Sequence, residues 1–210
     1  MKKIFFVLAL LVTVLIVQAQ NISPLVIAMP DDMLIGVTLD QRKLLIAPEN
    51  DTIEIAAVNA VGDTVKRLGF SEDFISLQTS KVGNLQIKLL PLVNNTQIIG
   101  VITTVCGPAC DSRISFYTTD WEPLAQSDLF PQISKDNFIK NGVDRNSEKF
   151  QNAYAALDMT PIKLSFSETD KNITAVYDIE KYISKQDYEQ LRPFLKETPV
   201  VYTWDKFVYK

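Results

Sequence analysis

Short apolar runs separated by turn residues dominate the chain between Asp51 and Thr119. The runs recur roughly every 11 residues, which is typical of strands in an antiparallel meander. Gly, Asp, Asn or Pro lies between successive runs, as tight connections require. The six predicted strands are residues 52–61, 64–70, 74–80, 85–90, 97–105 and 112–119.

Side-chain alternation within these runs predicts which faces are buried. In the run 85–90, Leu and Ile alternate with Gln86 and Lys88, so one face is buried and the other faces water or a second layer. The run 98–102 is apolar on both faces, which places it centrally with cover on both sides. Helices must supply part of that cover, and the sequence therefore predicts an α+β fold.

The flanking segments supply the remaining elements. Helices are predicted at residues 23–29, 39–47 and 148–157, and a short helix begins at Ser184 and is limited by Pro193. Strand-like runs cover residues 162–166, 173–177 and 200–204, while the polar segment 125–147 reads as a long connection. The prediction is one α+β domain over residues 20–210. It consists mainly of an antiparallel β-meander of about six strands with a few short helices packed on it. The meander core spans 51–124 and an α+β C-terminal part spans 148–210.

The first 19 residues read as a secretory signal peptide. Lys2 and Lys3 give a basic start, residues 4–17 are apolar apart from Thr13, and Val17-Gln18-Ala19 has the small-x-small ending that signal peptidase accepts. We therefore expect cleavage between Ala19 and Gln20 and a mature protein outside the cytoplasm. The apolar stretch is shorter than the ~20 residues of a spanning helix, so no stable membrane insertion is expected after cleavage.

Composition excludes several function classes. Loss of Lys2 and Lys3 with the leader changes the net charge from −4 to −6, which disfavours nucleic acid as a partner. The chain has no histidine, which removes the usual Ser-His-Asp and Cys-His nucleophile systems and most catalytic zinc sites. No spacing indicates a catalytic group, a metal site or a cofactor, so the first interpretation is a protein without enzymatic activity.

The two cysteines of the chain are Cys106 and Cys110. In an oxidising compartment so close a pair is most simply a disulfide, and Gly107-Pro108 supplies the tight turn between them. A redox pair and a metal site are the alternatives. The C-x-x-x-C spacing differs from the C-x-x-C of thioredoxin-like enzymes, and no helix start follows to lower a thiol pKa.

Acidic clusters are the remaining route to catalysis. Asp31-Asp32 suits a helix start, and Glu72-Asp73 falls in a predicted hairpin turn, so both have structural explanations. A carboxylate-based hydrolase needs two acids across a cleft, and one of Asp31 or Asp32 with Asp120 is the candidate pair. No calcium-loop pattern is present.

Tyr117 and Trp121 flank the end of the predicted meander. Together with the Cys106–Cys110 hairpin tip they form the candidate interaction surface, because a disulfide would preorganise the loop for binding. The alternative is a strand end capped by an aromatic side chain, with residues 118–120 forming a turn between the two rings.

Several segments resemble a known family. These are Met29-Pro30-Asp31, the stretch QIKLLP at 86–91, TVCGP at 104–108 and CDSRISFYTTDW at 110–121. Over about residues 22–124 the chain is similar to the domain of unknown function 3256, a family of exported proteins from Bacteroidales-type bacteria. The resemblance implies a Gram-negative periplasm or cell envelope. It implies no activity and assigns no functional residues.

Taken together, the residues predict an exported periplasmic protein that acts as a binding or interaction module. Its partner would be another envelope protein or a glycan, and an exposed edge of the meander is suited to accept a partner strand. The alternative is a carboxylate-based hydrolase that acts on polysaccharide or cell-wall material.

Overall fold

The computed structural model describes residues 21–48 and 55–210, and the predicted signal peptide and the start of the first predicted strand lie outside these ranges. A seven-stranded antiparallel meander in chain order forms the centre of the fold, which confirms the predicted α+β class. Its strands are β1 Ala56–Val58, β2 Thr64–Ser71, β3 Phe74–Gln78, β4 Gly83–Pro91, β5 Gln97–Cys106, β6 Cys110–Thr118 and β7 Pro123–Leu124. The prediction of about six strands missed β7, a two-residue strand that returns along β6.

One face of this sheet packs against two N-terminal helices, α1 Ile22–Ala28 and α2 Leu39–Leu45. The alternation in β4 puts its Leu and Ile side chains at 85, 87 and 89 on this helix face, where all three are buried. The cap of α1 is Asn21, whose side chain accepts the Ser23 N–H at 2.9 Å. In α2, Thr38 and Gln41 form a capping box, which satisfies two backbone donors at the helix start.

The opposite face of the meander packs against a second antiparallel sheet of order β10-β9-β8. Its strands are β8 Ile162–Phe166, β9 Ile173–Tyr177 and β10 Val200–Tyr202. The central run 98–102 is therefore covered on both faces, as predicted, but helices cover only one of them. Gly100 lies directly under β8: a Cβ at this position would come within 2.8 Å of Phe166 Cζ.

A third, smaller core joins the C-terminal helices α3 Glu148–Ala155 and α4 Lys185–Leu191. Pro193 ends α4 as an α-helix, and a 3-10 turn at Arg192–Phe194 follows it. The predicted strand 200–204 is two elements, because Thr203 exchanges backbone hydrogen bonds with Lys210 and opens a short hairpin. The strands of that hairpin are β11 Trp204–Asp205 and β12 Val208–Tyr209.

The polar segment 125–147 is a connection, as predicted, with 3-10 turns at Gln126–Asp128 and Lys135–Phe138. It runs from β7 to α3 along the side of the two-sheet core, and Phe130 and Phe138 anchor it there. Among residues 21–48 and 55–210, no helix has the length and apolar character needed to cross a membrane.

Candidate functional site

A disulfide joins Cys106 and Cys110 at the tip of the β5–β6 hairpin. The tip is fixed to its surroundings by three further hydrogen bonds. The Cys110 N–H donates to Asp178 Oδ2 at 2.5 Å, the Ile162 N–H donates to Asp111 Oδ1 at 3.0 Å, and the Cys106 N–H donates to the Val82 carbonyl at 2.8 Å. These contacts make the tip a rigid part of the two-sheet core rather than a free loop.

Tyr117 and Trp121 lie at the other end of the same hairpin. Tyr117 pairs with Ile99, whereas Cys110 pairs with Cys106, and seven residues of strand separate these positions by about 24 Å. The tip and the two aromatic residues therefore do not form one surface, contrary to the expectation from sequence.

Trp121 itself is buried in the helix-face core and is only 8% exposed. Its indole N–H donates to the Leu25 carbonyl at 3.1 Å, and its ring lies 5.6 Å from that of Tyr117. The hydroxyl of Thr118 accepts the Asp120 and Glu122 N–H groups, which makes the turn expected between the aromatics. Trp121 thus caps the strand end and holds α1, while Tyr117 is half-buried and its role in binding stays a prediction.

The edge of β6 is the more promising feature. β7 pairs with β6 only at Phe116 and Tyr117, so the part of β6 nearer the tip has no neighbouring strand among the described residues. The Thr118 N–H donates outward to Glu122 O and the Cys110 N–H donates outward to Asp178. Since outward-pointing residues alternate in an antiparallel strand, the backbone N–H and C=O groups of Ser112 and Ile114 also point outward.

This open stretch borders a cavity of about 620 Å³, which we call the edge groove. Its lining comes from β6, from the connection 126–133, and from Ile162 and Leu164 of β8. The lining combines polar residues at 111–113, 126, 127 and 132 with apolar ones at 114, 130, 131, 133, 162 and 164. Such a mixed lining suits a peptide, which presents backbone polar groups and apolar side chains together.

The neighbouring edge of β8 is closed in a different way. Its backbone N–H groups donate to side chains of the meander. The Ile162 N–H donates to Asp111. The Leu164 N–H donates to Ser112 Oγ at 3.0 Å, and the Phe166 N–H donates to Gln86 Oε1 at 2.9 Å. Side-chain capping of this kind protects an edge strand from pairing. Because β8 is protected and the middle of β6 is not, the edge groove offers its backbone groups on the β6 side.

A buried charge cluster links the two sheets and was not foreseen. Lys88 is fully buried under β8, and its Nζ donates to the Glu168 carbonyl at 2.9 Å and to Asp73 Oδ1 at 3.2 Å. Lys171 also binds the Asp73 carboxylate. Desolvation lowers the pKa of Lys88, although the nearby Asp170 and Glu168 carboxylates oppose the change. The cluster is closed to solvent on the Lys88 side, so it holds the layers together and offers no site.

The acids proposed for hydrolysis lie away from the edge groove. Asp31 begins a 3-10 turn, as an acidic residue at a helix start should, and its carboxylate binds Arg42 Nη2 at 2.5 Å. Neither Asp31, Asp32 nor Asp120 lines the edge groove. Within the described ranges, no group of three or more Cys, Asp or Glu side chains is placed to hold a metal ion.

Comparison with known proteins extends the resemblance seen in the sequence. A family model described as "Protein of unknown function (DUF3256)" matches residues 14–209, well beyond the 22–124 noted above. The chain is also similar to a solved structure of a domain of an uncharacterized protein from Porphyromonas gingivalis W83. That structure has a TM-score of 0.80 and 30% sequence identity, and the alignment covers 90% of this chain and 98% of that chain. No curated protein matches this chain. Because the family model spans nearly all of its length, the chain belongs to the DUF3256 family.

Proposed function

We propose that this protein is an exported, non-enzymatic binding module of the bacterial cell envelope. In this proposal it resides in the periplasm and takes up an extended peptide segment of another envelope protein. The peptide adds as a strand to the open edge of β6 and fills the edge groove. One observation carries the proposal: the outward backbone groups of Ser112 and Ile114 have no strand partner in the described structure and face a peptide-sized cavity.

Export is supported by independent features. The leader-like start of the chain has the charge, apolar stretch and small-x-small ending of a cleavable signal. The Cys106–Cys110 disulfide is of a kind that persists in oxidising compartments such as the periplasm. The similar structure comes from Porphyromonas gingivalis, and this source agrees with the resemblance of the sequence to exported proteins of Bacteroidales-type bacteria.

The length of the open edge limits what can bind. Asp178 occupies the Cys110 N–H at one end, and β7 begins to pair at Phe116 at the other. Between them, two outward residues offer two donors and two acceptors, each worth about 0.5–1.5 kcal/mol when paired. This window fits a strand of about three to five residues, and the side chains of that strand would contact lining residues of the connection 126–133.

Rigidity of the β6 edge favours binding, because the edge loses little conformational entropy when a peptide binds. The disulfide closes the hairpin, and Asp178 and Asp111 tie its tip to the second sheet. An edge that is already held in its bound conformation loses less entropy when a partner strand arrives.

The test begins with a photo-crosslinking amino acid at Arg113, an exposed position on the open edge, in the native host. The same amino acid at the exposed Lys81 is the control. We expect one envelope protein to be captured from position 113 and not from 81. Mass spectrometry of the crosslinked peptide then gives a segment that can be synthesised.

Hydrogen exchange with that synthetic peptide examines the binding mode. Strand addition predicts slower exchange at the amides of Ser112 and Ile114. Replacing the exposed Ser127 with Trp fills the groove and should weaken binding at least about tenfold, whereas Ser127→Ala should leave it unchanged. Protection confined to other residues, equal binding by both Ser127 variants, or capture of a glycan in place of a protein would reject the proposal.

A further inference from the structure

A second cavity, of about 570 Å³, lies in the C-terminal part of the molecule and shares no lining residue with the edge groove. Four cationic side chains line it against a single acid, Asp136, although the whole chain carries a net charge of −4. We propose that this basic cavity binds an acidic sugar, one that carries a carboxylate or a phosphate. The cations are Lys140, Arg145, Lys196 and Lys210.

The backbone places two of these lysines at diagonal positions on the same face of a short antiparallel pairing. An antiparallel bridge pairs Ile139 with Leu195, the Lys140 N–H donates to the Phe194 carbonyl, and the Lys196 N–H donates to the Phe138 carbonyl, both at 2.8 Å. This bridge joins two segments far apart in the chain and fixes where both side chains begin. The backbone pairing therefore fixes the positions of two of the positive charges in the cavity lining.

Ion pairs hold two of these cations and leave the other two open to a ligand. The Lys210 ammonium binds the Asp205 carboxylate. Lys140 contacts Glu197 at 3.0 Å, but Glu197 is 86% exposed and outside the cavity lining. Exposed ion pairs of this kind contribute about 0–1 kcal/mol, so the anionic group of a ligand can displace them. Lys196 makes no ion pair with any described residue, while Arg145 remains bound to Asp136 at 2.6 Å. The lining thus has at least two ammonium groups available for an incoming anion.

The other lining groups favour a sugar over a bare anion. Asn137 and Asn141 belong to the lining, beside the Asn141-Gly142 turn, where Gly142 has a φ of 80°. The Oδ1 atom of Asn137 already accepts the Ser134 N–H at 2.8 Å, so this side chain offers a ligand its NH2 donors. Amides donate to and accept from hydroxyl groups, which a sugar carries in number. The cavity volume falls within the range of about 300–1,000 Å³ that is usual for small-ligand sites. This site does not depend on the proposed peptide-binding function.

The test titrates the mature chain with three probes and follows backbone amide signals by NMR. The probes are digalacturonate, galactose 1-phosphate and neutral digalactose, with inorganic phosphate as a fourth arm. We expect at least one of the two acidic sugars to shift signals at residues 136–145 and 194–202 and neutral digalactose to leave them unchanged. The identity of the acidic sugar that binds shows whether the site recognises a carboxylate or a phosphate. Raising the salt concentration should weaken the binding.

Charge-matched variants separate this site from general attraction of anions. Lys140→Gln with Lys196→Gln should weaken acidic-sugar binding at least tenfold, whereas Lys81→Gln with Lys163→Gln, two exposed lysines elsewhere, should change it less than twofold. Absence of saturable shifts with both acidic sugars would overturn the proposal. Equal weakening in the two double variants would overturn it as well. So would inorganic phosphate that binds as tightly as the acidic sugar with the higher affinity.

Discussion

At the residue scale, Lys88 shows that a sequence can predict the face on which a side chain lies without predicting whether that face is buried. Alternation in β4 placed it correctly on the face opposite Ile87 and Leu89, which lie in the helix-face core, but its own face was free to meet water or a second layer. The structure buries it fully, because Asp73 and the Glu168 carbonyl compensate its charge. Glu168 lies 80 positions away in the chain, and no local pattern reports so distant a partner.

Removal of the compensating acid should destabilise the protein strongly. Asp73→Asn leaves Lys88 buried with a weaker partner, and we expect a loss of about 3 kcal/mol of unfolding free energy. Lys88→Met removes the buried charge itself and should cost less. Urea unfolding measures both, with the exposed Asp120→Asn as a control expected within about 0.5 kcal/mol. A greater loss in Lys88→Met than in Asp73→Asn would contradict this account.

The ionisation of Tyr177 should make the unfolding free energy depend on pH in the alkaline range. Burial raises its pKa to about 12, and its hydroxyl donates to the Met159 carbonyl at 3.1 Å. Because the folded pKa lies above the ordinary value of 10.0, the folded state holds the proton more tightly than the unfolded state. The resulting stability is fully present below pH 10 and is lost as the pH rises from 10 to about 12.

The Tyr177→Phe variant isolates this contribution. Wild type should lose more unfolding free energy than the variant between about pH 9 and pH 11, as urea titrations at each pH would show. Comparison of the two proteins cancels the effects of other groups, such as Lys88, whose lowered pKa acts in the opposite direction. Equal losses in the two proteins would show that Tyr177 ionises normally in the folded state.

At the element scale, strands and helices with a clear period were predicted to within a few residues. β8 and β9 match their predicted ranges, and α1 and α3 shift by at most two positions. These elements depend on local alternation and capping, which the sequence displays directly. The packing of the second sheet on the meander was not predicted, since it depends on how β8 meets β5 and β6 across the core.

The glycine at the centre of that contact tests the packing. Gly100→Ala would place a Cβ 2.8 Å from Phe166 Cζ and 3.2 Å from Leu90 Cδ1, and we expect a loss of about 1–3 kcal/mol from overpacking. Gly107→Ala at the hairpin tip meets nothing within 4 Å and should change stability by less than about 0.5 kcal/mol. Thermal or urea unfolding of the two variants compares them. An unchanged Gly100→Ala protein would mean that β8 does not press on β5 as described.

At the scale of the whole molecule, fold class was within reach of the sequence and the candidate site was not. The edge groove draws on β6, on the connection 126–133 and on β8, three parts of the chain without a shared local signal. The predicted surface of the disulfide tip with Tyr117 and Trp121 is divided in the structure, because its two parts lie at opposite ends of β6. Cys110 and Tyr117 are close in sequence, but they belong to an extended strand of nine residues, which holds them far apart.

Compartment is also a property of the whole chain, and the leader and the disulfide make a joint prediction about it. In the native host, the mature protein should begin at Gln20 and carry Cys106 and Cys110 in oxidised form. A variant that starts with Met before residue 21 should stay in the cytoplasm with both thiols reduced. Cell fractionation followed by alkylation and mass measurement distinguishes the two states, because each free thiol adds one alkyl group.

The experiment tests cleavage of the leader and oxidation of the cysteines independently, so each expectation can be contradicted on its own. A full-length chain found in the membrane with Lys2 and Lys3 retained would show an uncleaved anchor in place of a signal peptide. Free thiols in an exported, cleaved protein would instead show that the Cys106–Cys110 bond is reduced in its compartment. In that second case the edge of β6 would lose one of the bonds that hold it rigid, and peptide binding should weaken under the same conditions.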